Sequence, residues 1–197
     1  ERALKLMEAL GDRASAAAML ANIGGAHLSL GNYPKALECL ERALKMSEDL
    51  GDRARAASTL GNIGIVHQSL GNYPKALEYH ERALKRKEAL GNRAGVAVTL
   101  CGIGTAHGAL GNYPSALEHH ERALKMMEDL GDRAGAATAL GNIGAVHCSL
   151  ENYPKALEYH ERALKMKEDL GDRAGAASSL VSIGNVHGSL GNYPKAL

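Results

Sequence analysis

Phenylalanine and tryptophan are absent from this 197-residue chain, and seven tyrosines supply all of its large aromatic side chains. One globular core of this length would normally draw on such side chains, whereas a stack of small local cores does not need them. An excess of one charge is also missing. Twenty-three Lys and Arg face 22 Asp and Glu, for a net charge of +1, so nothing marks the chain for nucleic acid or an anionic membrane surface. No run of 18 apolar residues occurs, so no bilayer-spanning helix is expected. The three cysteines, Cys39, Cys101 and Cys148, are odd in number and unevenly placed. They form neither a disulfide framework nor a zinc spacing, and read as reduced thiols of a cytoplasmic protein.

What the chain has is repetition. GNYPKAL stands at 31–37, 71–77 and 191–197, with GNYPSAL at 111–117 and ENYPKAL at 151–157. Tyr33, Tyr73, Tyr113, Tyr153 and Tyr193 are each 40 residues apart. A fixed period of this size marks a repeat array, which must be read before anything else. The chain opens on ERAL, which recurs at 41, 81, 121 and 161, so it reads as a window on a longer periodic sequence.

One period, 51–90, shows how each unit should fold. Asp52 is a good N-cap, and apolar residues follow at helical spacing through Ala56, Leu60, Ile63 and Leu70. Gly71 should end this helix, A, in a left-handed conformation. Asn72 caps a second helix, B, with Pro74 in its first turn, where a missing N–H costs nothing. Helix B runs through Ala76, His80 and Ala83 to Leu90. Connections this short force neighbouring helices antiparallel. Glu151 replaces the turn glycine of the other copies, and should be strained if the turn is left-handed. Gly24, Gly64, Gly104, Gly144 and Gly184 lie inside helix A, at a cost of about 1 kcal/mol each against alanine. The expected reason is close approach of helix B through Ala76.

The pattern carried by Leu60, Ile63, Gly64, His67, Ala76, His80 and Ala83 resembles the tetratricopeptide repeat along the whole chain. The 40-residue unit is similar to that of partner-of-inscuteable-type polarity scaffolds and, less closely, of kinesin light chains. The resemblance implies an all-α helix-turn-helix solenoid, a right-handed superhelix of antiparallel helix pairs. It also implies a non-catalytic, cofactor-free protein-binding surface. The expected organisation is a single array over 1–197: a partial helix B at 1–10, repeats at 11–50, 51–90, 91–130 and 131–170, and a partial repeat at 171–197. The half-helices expected at 1–10 and 193–197 make end-to-end self-association the alternative to a binding scaffold.

Comparison between copies locates the candidate surface. The copies 51–90 and 131–170 differ at eight of 40 positions. Along helix A the variable places are spaced 0, 3, 7 and 10, within roughly 80° of arc on a helix. They supply Ser58, Val98, Thr138 and Ser178; Cys101 and Val181; Gly25, Ile65, Thr105, Ala145 and Asn185; and Leu28, Gln68 and Cys148. In the family this stripe lines the concave, ligand-binding face. Asn22, Asn62 and Asn142 match the family asparagine that bonds ligand backbone, a ladder broken by Gly102 and Ser182. Ala56 and Ser58 stand where the polarity scaffolds carry Glu and Arg. Helix A from 54 to 70 carries one charge, Arg55, while helix B carries Glu78, Glu81, Arg82 and Lys85. The expected partner is therefore a weakly charged extended peptide or amphipathic helix.

Nine histidines raise a metal site. Zinc needs three or four converging ligands, and histidines one repeat apart should be separated by about 10 Å. No metal, nucleophile–base set or phosphate-cradling loop is expected. The rings read instead as packed, neutral residues whose charging below pH about 6 should loosen the stack.

Overall fold

A computed structural model describes residues 2–192. Among the described residues there are ten helices and no strand: α1 (Arg2–Ala9), α2 (Arg13–Ser29), α3 (Tyr33–Asp49), α4 (Arg53–Ser69), α5 (Tyr73–Ala89), α6 (Arg93–Ala109), α7 (Tyr113–Asp129), α8 (Arg133–Ser149), α9 (Tyr153–Asp169) and α10 (Arg173–Ser189). Even-numbered helices are A helices and odd-numbered helices are B helices. The helix start expected at 193–197 lies outside the described residues. The chain divides into two compact units, Glu1–Gly102 and Ile103–Leu197.

Local chemistry ends each helix. Asp52 Oδ1 accepts the Arg55 N–H at 2.9 Å, and Asp132 and Asp172 cap α8 and α10 in the same way. At the other end of α4, Gly71 N–H donates to Gln68 O and Asn72 N–H to His67 O. This paired closure needs a left-handed residue after the cap, and Gly71 has φ 73°. Glu151 holds the same conformation at φ 56°, the one non-glycine to do so among the described residues.

In the first unit α2 packs on α3, α3 on α4 and α4 on α5; in the second α7 packs on α8, α8 on α9 and α9 on α10. The A helices α2 and α4 also touch, as do α8 and α10. The first unit's core joins Ala36, Leu40 and Leu44 to Ala56, Leu60 and Ile63, with Tyr33 and Tyr79 partly buried against it. Alanine is abundant because two backbones must approach closely, and leucine or a histidine ring fills the space between.

The reason for the helix-A glycine differs from the sequence expectation. A Cβ on Gly64 would lie 2.7 Å from the His80 ring, and one on Gly144 2.8 Å from the His160 ring. At Gly24 the nearest atoms belong to Leu40, with the Ala36 carbonyl behind at 3.3 Å. The glycine therefore makes room for the large residue one turn after the helix-B alanine, and Ala76 is not among the nearest neighbours of Gly64. Small residues on helix A and a flat ring on helix B are two halves of one packing solution.

Candidate protein-binding face

Every candidate residue lies on an A helix, and none is buried. In α4 the residues between them are: Ala57, Thr59, Leu60, Ile63 and Val66 are at most 1% exposed, while Ser58 is exposed and Ile65 is 40% exposed. Asn62 is half-buried. In α8, Thr138 and Ala145 are exposed and Asn142 is half-buried. Asn22 is exposed on α2, beside half-buried Gly25. Val98 and Thr105 are exposed on α6, with Cys101 half-buried; Ser178, Val181 and Asn185 are exposed on α10. This follows from the helical period, which sets residues 58, 62 and 65 on one side and 57, 60 and 63 toward the B helices.

In the second unit the structure gathers Thr105, Asn142 and Ala145 around a cavity of about 280 Å³, with His120 and Val146 among its walls. The fourth place of the stripe behaves differently. Neutral His80 can donate Nε2–H to Gln68 Oε1 at 3.3 Å, and Cys148 Sγ lies 3.8 Å from His160 Nε2. Leu28 packs against the apolar core. Those three side chains support the helix-B residue as well as edging the face, and the second place is buried at Gly61 and half-buried at Cys101 and Gly141, which narrows the open stripe of α4, α6 and α8 to its first and third places.

The histidines are packed rings. His80 lies against both Gly64 and Gly102. Burial, with Lys87 adding to it, lowers its pKa to about 4. Burial, then neighbouring His119, lowers His120 to about 4. Burial likewise lowers His160, with Lys167 contributing. His67 stacks on Tyr79 with centroids 5.4 Å apart, and His147 on Tyr159 at 5.5 Å. Among the described residues no three His, Cys, Asp or Glu side chains converge as a metal site. Burial pushes the Cys101 thiol up to about 11 and raises that of Cys148, so neither is a ready thiolate nucleophile.

Sequence reasoning assigned the charges to helix B, away from the candidate face, and missed Lys87. This residue is 8% exposed, and its Nζ donates to Thr99 Oγ1 at 2.8 Å. The hydroxyl in turn donates to Gly95 O at 2.8 Å. Nζ would lie 3.4 Å from a Cβ on Gly61, so the ammonium sits directly beneath the A-helix face. Burial lowers its pKa. Lys167 makes the matching bond to Ser179 at 3.0 Å. The signal was present as a correlated pair twelve residues apart: Lys87 with Thr99, Lys167 with Ser179, but Met127 with Ala139.

The sequence pattern of the tetratricopeptide repeat matches residues 1–49, 55–129 and 135–197. Among curated proteins none matches. Several solved structures share the fold. BtubC (BKLC) from P. vanneervenii is 20% identical, covering 99% of this chain and 83% of that one, with TM-score 0.84. A Rap protein complexed with competence and sporulation factor is 20% identical, covering 90% of this chain, with TM-score 0.82. This chain spans 50% of that Rap protein's length. A Podosopora anserina putative kinesin light chain with nearly identical repeats is 12% identical, covering 90% of this chain and 88% of that one, with TM-score 0.71.

Proposed function

Because the chain belongs to the tetratricopeptide-repeat family, whose fold is generally a non-catalytic scaffold for protein interactions, we propose that its A-helix face binds a weakly charged extended peptide or amphipathic helix. One observation carries this reading. Within α4 and α8 the variable residues Ser58, Ile65, Thr138 and Ala145 are all exposed, while unchanged Leu60, Ile63, Leu140 and Ile143 form the buried frame. A scaffold that keeps its packing and varies its open side is suited to recognition. Asn62 and Asn142 offer amide groups to ligand backbone, and Ile65 and Val98 offer apolar contact. A structurally similar Rap conjugation gene regulator of the plasmid pLS20, solved in complex with the Phr* peptide, supports a peptide partner by analogy of fold. None of the three cysteines forms a disulfide, in keeping with a reducing, cytoplasmic setting.

The test is a displayed library of random ten-residue peptides panned on the chain, followed by titration of the enriched peptide against wild-type and Ile65→Lys proteins. Loss of binding in the variant, with an unchanged melting temperature, supports the face. An enriched peptide that ignores Ile65→Lys and Ala145→Lys alike would sink it. Light-scattering mass over a hundredfold concentration range separates the alternative: growth unaffected by these face charges identifies end-to-end assembly instead.

A further inference from the structure

A cleft of about 680 Å³ lies in the first unit, away from the A-helix stripe, where the end of α3, the start of α4 and the end of α5 meet. Its charged lining is Arg53, Arg82, Lys85 and Arg86 against Glu48 and Asp52. Four cations and two carboxylates leave a net +2.

An excess of two is specific to this copy; the corresponding residues 40 positions on, where Asn92 replaces the aspartate, sum to +1 in the sequence. Two other copies close the corresponding place with a bridge from the start of helix A to the end of the next helix B. Arg13 meets Asp49 at 2.8 Å, and Arg133 meets Asp169 at 2.9 Å. Thirty-six residues after Arg53, where the other copies carry Asp49, Asp129 and Asp169, stands Ala89. Arg53 is left without the carboxylate its counterparts hold, and Ala89 itself lines the cleft. A second change adds charge: Arg86 stands where the other copies have Met46, Met126 and Met166. The two acidic residues that remain are already engaged. Glu48 binds Arg86 at 2.6 Å, and Asp52 binds Arg55 at 2.9 Å while capping α4. The same places eighty residues on hold Arg133, Arg162 and Lys165 against Glu128, Asp132 and Asp169, with Met166 neutral. Three cations and three carboxylates cancel.

From this we infer that the cleft is a second binding site, distinct from the A-helix face, for a phosphate group. One carboxylate would replace the missing aspartate and leave charge over. A phosphate dianion neutralises the excess of two, and the cleft has room for it beside Arg53. Arginine forks donate in pairs to phosphate oxygens, which a single ammonium does less well. The phosphate can be carried by a phosphorylated side chain of a protein partner or by a free oligophosphate.

Calorimetric titration of the whole chain at fixed near-physiological salt tests this with three probes: inorganic pyrophosphate, a phosphoserine peptide, and the same peptide unphosphorylated. The decisive variant is Ala89→Asp, which installs the residue found in three other copies and therefore keeps the fold. Saturable binding of a phosphorylated probe should weaken by about tenfold or more in Ala89→Asp and be unchanged in Ile65→Lys. Tighter binding of the phosphopeptide than of pyrophosphate assigns the phosphate to a protein partner, and the reverse order assigns it to a free ligand. The paired change Met166→Arg with Asp169→Ala should add a second equivalent site. Equal binding of the unphosphorylated peptide, indifference to Ala89→Asp, or no saturable binding at all overturns the inference.

Discussion

The copies at 51–90 and 131–170 share 32 of 40 residues and the same two 17-residue helices, yet they present different chemistry. Two differences, Arg86/Met166 and Ala89/Asp169, decide whether the outer cleft is basic or neutral, and Arg55/Gly135 gives the capping Asp52 an ion-pair partner in one copy alone. Two, Ser58/Thr138 and Ile65/Ala145, lie on the open A-helix face. Gln68/Cys148 changes what meets the ring of His80 or His160. Gly71/Glu151 changes a turn, and Thr59/Ala139 is the one pair buried in both copies. The lesson is that this scaffold tolerates change where side chains point away from the helix pair. Where backbones approach, it holds to glycine, alanine, leucine and histidine. Function can therefore be altered copy by copy at little cost to folding.

Acidification should break both copies together, and most strongly. His80 has a folded pKa of about 4 against 6.5 unfolded. The unfolded chain thus binds more protons between these values, and stability falls as pH drops from 6.5 toward 4, with no change expected above neutrality. The loss for His80 is on the order of 3 kcal/mol. His120 adds a loss of the same kind. Urea midpoints measured from pH 8 to pH 4 should show this slope. His80→Leu, copying Leu40 of the first repeat, should remove its share, and an undiminished slope in that variant would mean the ring is not the responsible group.

A methyl group on the glycine beneath the ring should be almost as damaging. Gly64→Ala and Gly144→Ala each force a contact below 3 Å with a buried imidazole, and should cost about 2 kcal/mol after relaxation despite alanine's better helix propensity. Thermal melts of the two variants should agree closely, because the packing is shared. A stabilised variant would show that the ring can swing aside.

Two smaller changes sharpen the differences between copies. Glu151→Gly should stabilise by about 1 kcal/mol, since only the second copy places a side chain at positive φ there. The reciprocal Gly71→Glu should lose a similar amount in urea denaturation. Thr59 buries a hydroxyl with no hydrogen-bond partner, whereas Ala139 has none to satisfy. Thr59→Ala should gain up to about 1 kcal/mol, while Ala139→Thr should destabilise; matched melts of the pair would expose a hidden partner if the signs were reversed.

The helices, their limits and the left-handed turns were legible from the chain because each rests on groups a few residues apart. Asp52 reaches Arg55, and Gly71 and Asn72 close onto Gln68 and His67. The open stripe was legible too, since exposure follows the helical period and the copies vary there. Its fourth place was not, because Gln68 is drawn to a ring twelve residues away on another helix. Lys87 was not legible for the same reason: only the packing of α5 beside α4 and α6 shows that its stem is enclosed.

The sequence by itself thus determined the period, the alternation of helix and turn, the caps, and which side of each helix is apolar, because all of these are local and repeat with the chain. Only the tertiary structure decided that the helix-A glycine faces His80 rather than Ala76, that a lysine lies under the open face, and that Arg53 looks across a cleft at Ala89. Those facts depend on which side chains, distant along the chain, share one volume. In a repeat that volume is bounded by neighbouring helices, so a single substitution in one copy changes it without changing the fold.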